Sequence, residues 1–264
     1  MTATRIVYLM FHELEMPGRA LCSPDSGYVR YVVHEAAFRS QISWLKDHGW
    51  TGMSVGQALE APRERSVAIT FDDGTETDLI LAARLLRQAG FQATFYITVG
   101  FLGKRGYLSL AQLRVLAGLG FEIGCHSMTH PYLSDLDSDG LHREIVEARL
   151  ELEQILGAPV NHFACPGGSY NERAREVARN AGYVSVATSN PQANSASSDR
   201  LALGRVVIMR DTPLPVFGQL CRGEGLWKRQ LRVAAYQGAK RVLGSKGYDR
   251  LRTLLLGGNS LQQQ

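Results

Sequence analysis

The chain has 264 residues and a formal net charge of +4, and 45% of its residues are hydrophobic and 20% charged. This composition excludes a chain that is disordered throughout, and the length fits one large domain or one domain with a small appendage. No apolar run reaches the roughly 18 residues of a spanning helix, and the apolar stretch at 6–11 is too short for a signal-peptide core, so we expect neither a membrane span nor a cleaved signal.

Short apolar runs alternate with helical patterns along most of the chain. Strands are predicted at 5–11, 66–71, 93–98, 121–125, 160–164, 183–187 and 205–209. Helices are predicted at 34–48, 77–89, 109–118, 136–156 and 171–181, and a polar loop at 189–198. This alternation predicts an α/β fold with a parallel sheet and helices outside, either open or closed into a barrel. In such folds the loops after the strands carry the chemistry, so polar residues directly after a strand are the candidate site residues.

Two adjacent carboxylates, Asp72 and Asp73, follow the strand at 66–71 in the segment T-F-D-D-G. Successive residues leaving a strand point in different directions, so one carboxylate can bind a metal ion while the other acts as a base. The alternative interpretation is a loop at a helix start, where Asp and Gly are common.

Two histidines, His126 and His130, follow the strand at 121–125 in the segment H-S-M-T-H. If the chain turns there, both imidazoles and one carboxylate can hold a cation and leave positions open for water and substrate. The alternative is one buried and one exposed histidine without a ligand.

Two further strand ends carry candidate residues. The segment C-P-G-G-S-Y at 165–170 follows the strand at 160–164, and its glycines either let a backbone N–H reach an oxyanion or simply form a tight turn. His12 follows the first strand beside Glu13 and is either an acid/base group or an ordinary packed or exposed histidine.

Taken together in this order, the four segments resemble the polysaccharide deacetylase (NodB-homology) family of metal-dependent carbohydrate esterases, over about residues 5–209. The resemblance implies a distorted (β/α) barrel of about seven parallel strands. It also implies that a divalent ion is bound by Asp73, His126 and His130. Asp72 would be the general base and the Gly167 N–H would contact the oxyanion. The residues implied to line the substrate groove are Pro166, Gly168 and Tyr170.

The sequence departs from the family pattern in two places. Many members have an arginine that steadies the base where this chain has Ala164, and Arg205 is the candidate substitute. The usual late general-acid histidine is absent, since no histidine follows His162. The segment L-M-F-H at 9–12 resembles a subgroup, including exopolysaccharide deacetylases, in which this histidine comes from the N-terminus, so His12 is the implied general acid. In a closed barrel the first and last strands are neighbours, which makes this exchange feasible.

The resemblance implies an enzyme that removes N-acetyl groups from a saccharide, as in exopolysaccharide biosynthesis or on a lipid-linked glycan precursor. Zinc is the expected metal, and cobalt, manganese and nickel are alternatives because a His₂Asp site accepts several ions. Two other functions stay open. One is a metal-dependent amidase or esterase of a small molecule, and the other is a saccharide-binding protein with a degraded catalytic set.

Residues 213–264 are expected to form a basic helical extension of a catalytic barrel at 1–212. Residues 220–264 contain nine Lys or Arg and two acidic residues, and the pattern at 226–243 places Trp227 and Leu231 on one helical face. Such a helix either lies on an anionic membrane at its cytoplasmic face or packs on the barrel. Nucleic-acid binding is not expected, because no recognised motif is present. The four cysteines form no C-x-x-C pair, and in a cytoplasmic protein reduced thiols are expected.

Overall fold

The structure is a computed structural model that describes residues 4–168 and 170–231. Eleven strands lie within these residues. They are β1 (Ile6–Phe11), β2 (Leu14–Glu15), β3 (Val33–His34), β4 (Thr51–Met53), β5 (Ser66–Phe71), β6 (Thr94–Ile97), β7 (Glu122–Cys125), β8 (His162–Ala164), β9 (Ser185–Ala187), β10 (Ala193–Asn194) and β11 (Val206–Val207).

Seven parallel strands form the predicted distorted (β/α) barrel. Strands β1, β5, β6, β7, β8 and β9 pair in that order, and β11 pairs with the free side of β1. Leu203, just before β11, forms a parallel bridge with Ala187 of β9. The first and last strands of the barrel are therefore neighbours, as expected, although the ring is closed only by short pairings.

The remaining strands are short and were not predicted. The segment 189–198, predicted to be a loop, contains β10, which pairs antiparallel with the start of β1. Strand β4 pairs with the start of β5, and β2 and β3 form a separate two-stranded sheet. Strands of two or three residues are too short to show a period-two hydrophobic pattern, which explains why the sequence did not reveal them.

Helices connect the barrel strands on the outside. They are Ser26–Val29, Glu35–Asp47, Val55–Glu60, Asp78–Ala83 continuing as Arg84–Ala89, Leu110–Gly118, Ser138–Leu141 continuing as His142–Glu147 and Ala148–Leu156, Glu172–Asn180, and Leu214–Cys221. The five predicted helices are all present, and Asp78–Ala83 and His142–Glu147 are π-helical. Ser109 and Asn171 cap two helices with their side chains, as their sequence positions indicate.

Two buried layers surround the sheet, and β1 supplies both. Val7, Leu9 and Phe11 face the helices in the larger layer, whereas Ile6 and Tyr8 face the barrel interior. The interior layer also contains Tyr96 and the small side chains Ala68, Ala164 and Ala187. A barrel interior filled by side chains is a packed core without a pore.

A row of phenylalanines lies directly before the residues at the mouth of the barrel. Phe11 and Phe71 are the last residues of β1 and β5, and Phe95 is the register partner of Phe71 in β6. Their ring centroids are 5.3 Å and 5.0 Å apart in stacked pairs. Each such pair contributes about 0.5–1.5 kcal/mol beyond its burial, so the strand ends that carry His12 and Asp72 rest on a rigid base.

The first part of the predicted extension packs on the barrel. Helix Leu214–Cys221 buries Phe217, Leu220 and Cys221, and the Phe217 ring meets Trp44 edge-on at 6.0 Å. Residues 232–264, which include most of the predicted basic helix, lie outside the described residues, so the division at 212 stays a prediction. No helix of the described residues has the length and apolarity to cross a bilayer. All four cysteines are free thiols.

Candidate functional site

Asp72 and Asp73 leave the end of β5 in different directions, as the sequence predicts. Asp73 has a φ of 81°, in the left-handed region, and Gly74 follows with a φ of 80°. This conformation costs a residue other than glycine about 1–3 kcal/mol and persists only where the surroundings impose it. Its result is that the Asp72 carboxylate contacts Arg205 inside the barrel, whereas the Asp73 carboxylate faces two histidines.

His126 and His130 converge on Asp73. The Asp73 Oδ1 atom lies 3.7 Å from His126 Nε2 and 3.5 Å from His130 Nε2. One ligand atom from each residue lies within 4.8 Å of the other two. The chain between the histidines turns sharply, since Ser127 and His130 have φ values of 70° and 66°. The Ser127 hydroxyl accepts a hydrogen bond of 2.9 Å from the His130 N–H and closes this turn.

These three residues fit a divalent cation. The Asp73 Oδ1 atom is buried and has no hydrogen-bond partner in the described part of the chain, which is costly unless a cation is bound there. His126 Nδ1 lies 2.8 Å from the Ala164 carbonyl oxygen, so Nδ1 carries the proton and the Nε2 lone pair faces the two carboxylates, 3.7 Å from Asp73 Oδ1 and 3.7 Å from Asp72 Oδ2. Burial lowers the pKa of His126 to about 4, which keeps its imidazole neutral and able to bind a metal ion at pH 7.

Arg205 reaches Asp72 from the last strand, where the sequence suggested it would substitute for an arginine at position 164. Its Nη1 and Nη2 atoms donate to the two carboxylate oxygens of Asp72 at 2.6 Å and 2.8 Å. Arg205 also donates to the Thr70 hydroxyl and to the Thr188 carbonyl, and it lies over the Tyr96 ring at 5.2 Å. Burial alone would raise the pKa of Asp72, but the Arg205 guanidinium outweighs it and holds this pKa well below its usual range.

His12 lies at the end of β1, next to this pair. The carbonyl of Phe11, directly before His12, accepts a hydrogen bond of 3.0 Å from the Asp72 N–H, which places His12 and Asp72 at neighbouring strand ends. The ring packs against Tyr31 at 5.2 Å, and the buried Nδ1 atom has no hydrogen-bond partner among the residues described. Glu13 does not join His12 in the site: it is fully buried and accepts hydrogen bonds from the Cys22 N–H and the Tyr28 hydroxyl.

The segment after β8 lies at the same end of the barrel. Pro166–Gly168 is a 3-10 turn in which Gly167 and Gly168 have φ values of 57° and 65°. A Cβ atom on Gly167 would lie 2.7 Å from the Tyr132 ring, so both the conformation and the close approach require glycine. The Tyr170 hydroxyl donates to the Leu201 carbonyl, so this hydroxyl is used within the protein. Substrate contacts by Pro166, Gly168 and Tyr170 stay a prediction.

Two buried residues near the site were not found by sequence reasoning. The Tyr96 ring lies under the Arg205 guanidinium. Glu144 accepts two hydrogen bonds from Thr129, in the turn between the two histidines. Tyr96 lies in a strand that reads as ordinary core. Glu144 is one of several glutamates in the predicted helix 136–156, and nothing in the sequence distinguishes it as the buried one.

Comparison with known proteins gives a family match over part of the chain. Residues 60–186 match the family model described as polysaccharide deacetylase. The matched range includes Asp72, Asp73, His126, His130 and Gly167, whereas His12 and Arg205 lie outside it.

Individual relatives extend over more of the chain. YxkH of Bacillus subtilis is 25% identical over 220 residues, which cover 81% of this chain and 75% of that protein. The peptidoglycan-N-acetylglucosamine deacetylase of Bacillus cereus is 37% identical over 127 residues, which cover 47% of this chain and 56% of the enzyme. The solved structure of the Streptococcus pyogenes deacetylase PplD in complex with acetate has a TM-score of 0.74 at 24% identity, and the match covers 83% of this chain and 99% of that one. This structural likeness shows a shared fold.

Proposed function

We propose that this chain, which belongs to the polysaccharide deacetylase family, hydrolyses N-acetyl groups of a saccharide. A divalent metal ion, with zinc as the expected metal, would be held by Asp73, His126 and His130. One observation carries the proposal. A buried Asp73 oxygen without a partner among the described residues faces two imidazoles, beside a second carboxylate that is held ionised. Metal ligand and base are thus separate groups on adjacent residues.

The metal would supply one part of the chemistry. Asp73, His126 and His130 would hold a divalent ion, and the chemistry supplied by that ion would be acidification of a water molecule and polarisation of the acetyl carbonyl. Asp72 then accepts the proton of the attacking water as general base. Arg205 keeps the Asp72 carboxylate ionised and fixes its orientation through two hydrogen bonds. The carboxylate is therefore ionised and oriented at neutral pH.

Two groups would act on the substrate from the sides of the site. The N–H of Gly167 would donate to the oxyanion, and such a donor is typically worth about 3 kcal/mol. His12, when protonated, would give its proton to the leaving amine, which is too basic to leave as an anion. The attacking water and the N-acetyl sugar thus give acetate and a free amino sugar as products.

The choice of a saccharide rests on the family and its relatives. The Bacillus cereus relative acts, by its name, on N-acetylglucosamine in peptidoglycan, and a 33% identical relative from Azorhizobium caulinodans is a chitooligosaccharide deacetylase. We therefore infer an N-acetylhexosamine as the unit recognised, in an exopolysaccharide or a lipid-linked precursor.

Acetate release tests the proposal. The purified chain is incubated with N-acetylhexosamine oligomers, lipid-linked N-acetyl sugars, and small-molecule amides and esters. Each incubation is run with added Zn²⁺ and after removal of metal by a chelator. We expect acetate release that is lost with the chelator and restored by Zn²⁺. Release only from small-molecule amides or esters would favour the amidase alternative, and saccharide affinity without any turnover would favour a binding protein.

The general-acid assignment has its own test. His12→Ala should lower turnover on an N-acetylated saccharide by about 10²–10⁴-fold. An activated ester, whose leaving group needs no proton, should lose much less. Equal losses on both substrates would contradict the role given to His12, and His34→Ala, an exposed histidine, serves as the matched control.

We also propose that the C-terminal end contacts an anionic membrane surface from the cytoplasmic side. Trp227 and Leu231 are 60% and 62% exposed in a helical segment, four residues apart, beside Lys228 and Arg229. An apolar face flanked by cations suits anionic lipid headgroups. Vesicles with phosphatidylglycerol should sediment the full chain but not Trp227→Ser/Leu231→Ser. Leu150→Ser, at a residue 58% exposed, is the control. Equal sedimentation of all three proteins would contradict the proposal.

A further inference from the structure

The turn that carries the two candidate histidine ligands is held by a residue outside the site. Thr129 precedes His130, and both of its hydrogen-bonding groups meet one carboxylate. The Thr129 N–H donates to Glu144 Oε2 at 2.7 Å, and the Thr129 hydroxyl donates to Glu144 Oε1 at 2.6 Å. Charge-assisted bonds of this length are strong and directional, and two of them fix both position and rotation.

Glu144 is placed for this contact by an irregular helix. Its side chain is fully buried although it is charged, which is unusual unless the charge has a specific partner. It lies in the π-helical segment His142–Glu147, and such segments are rare and often occur at functional sites. The carbonyl of the next residue, Ile145, accepts a hydrogen bond of 3.0 Å from the Tyr183 hydroxyl, so the irregular turn is itself stabilised.

The other side of the turn is held by backbone bonds. The N–H groups of Val99 and Gly100 donate to the carbonyls of Ser127 and Met128 at 3.1 Å and 2.7 Å. Gly100 allows this approach, because a Cβ atom there would lie 2.7 Å from the Met128 oxygen. The Thr98 hydroxyl also donates to the His126 carbonyl at 3.2 Å. The turn is therefore held from two sides, and Glu144 is the side-chain partner of Thr129.

We infer that Glu144 is a positioning residue that presents His130 to the metal, acting through Thr129. His130 has a φ of 66°, a strained conformation that needs support from its surroundings. It is also the most exposed of the three ligands, with 35% of its side chain accessible. His126, by contrast, is buried and fixed by the Ala164 carbonyl. Glu144 therefore supports the ligand that would otherwise be least fixed. This inference rests on the metal site of the proposed function.

Zn²⁺ affinity of the purified full chain, measured by competition with a chromophoric chelator, tests the inference without any substrate. Removing a group that hydrogen-bonds directly to a metal ligand typically weakens metal binding by about 10–100-fold. Glu144 acts one step further away, through Thr129, so for Glu144→Ala we expect a loss at the lower end of this range, about 10-fold. Glu144→Gln keeps an acceptor for the Thr129 N–H and an amide that can donate to the Thr129 hydroxyl oxygen, so it should stay near wild type. Glu147→Ala is the matched control, because Glu147 lies on the same segment with an exposed side chain that pairs with His142.

Each outcome decides one question. Wild-type protein that binds no Zn²⁺ would overturn the proposed metal site itself. Wild-type affinity in a folded Glu144→Ala variant would overturn only the role of Glu144. If Glu144→Ala does not fold, Thr129→Val removes one of the two bonds and leaves the buried carboxylate bonded to the Thr129 N–H. That variant should bind Zn²⁺ several-fold more weakly, and unchanged affinity would overturn the inference.

Discussion

The two ends of the barrel each contain an acidic centre, and the two centres are built differently. At the N-terminal ends of the strands, Glu122 accepts hydrogen bonds from the Thr94 and Ser54 hydroxyls and from the Gly56 N–H. It also lies 3.5 Å from His162 Nε2. At the C-terminal ends, Asp73 has a buried oxygen without a partner in the residues that the structure describes.

Backbone strain follows the same division. The described residues other than glycine that have a positive φ are Arg65, Asp73, Ser127 and His130, and the last three belong to the candidate metal site. Polar groups at the N-terminal end bond one another and stabilise the barrel. At the C-terminal end Asp72 is paired with Arg205, whereas Asp73 has a strained backbone and a buried oxygen without a partner among the described residues. This matches the general division of labour between the two ends of (β/α) barrels.

The largest expected effect comes from Asp72→Asn. The variant should keep its affinity for Zn²⁺, since the three proposed ligands are untouched, but lose about 10²–10⁴-fold in turnover because the base is gone. Acetate release at saturating metal measures this. Glu122→Gln, at the other end of the barrel, should leave turnover close to wild type. Near-normal turnover in Asp72→Asn would contradict the role of Asp72 as general base at the C-terminal end of the barrel.

Arg205→Met is expected to have the next largest effect. It leaves the buried Asp72 carboxylate without its counter-charge, which typically costs about 3–5 kcal/mol of folding stability. Denaturant unfolding measures this cost. Arg175→Met, which breaks the exposed pair with Asp199, should cost less than about 1 kcal/mol. Equal losses of unfolding free energy in the two variants would show that the buried Asp72–Arg205 pair contributes no more to stability than an exposed ion pair.

Glu122→Gln tests the other end and should cost about 1–3 kcal/mol of unfolding free energy at pH 7. Burial would raise the pKa of Glu122, but hydrogen bonding and charge from His162, with Thr94 and Ser54, outweigh it and lower this pKa. A lowered carboxyl pKa stabilises the fold above the unfolded-state pKa of about 4.3 and loses this contribution as pH falls through the folded value. The difference between variant and wild type should therefore shrink on acidification. A difference that is constant between pH 7 and pH 3 would contradict the role of the Glu122 charge.

The sequence predicted the elements that carry the site because its signals there are local. Asp73, His126 and His130 each lie just past a strand end, and parallel strands bring such positions together. Arg205 could be suggested only from the absence of an arginine at 164, and the contact with Asp72 came from the structure.

What the sequence could not predict depends on contacts over long separations. Glu144 resembles the exposed glutamates around it in the sequence, and only packing reveals that it is buried under the turn at Thr129. Glu122 likewise begins its strand without any signal that Ser54 and His162 will meet it. The short strands β4 and β10 depend on neighbouring strands for their pairing and have no pattern of their own.

The closing of the barrel by its last strand has a consequence for biosynthesis. Asp72 and Arg205 are 133 positions apart, and Arg205 directly precedes β11. A growing chain therefore exposes an uncompensated aspartate at the end of β5 until nearly all of the barrel has left the ribosome. Translation that stops before position 205 would yield a fragment with Asp72, Asp73, His126 and His130 present but without the counter-charge for Asp72, so the Asp72–Arg205 pair forms only once the last barrel strand is made.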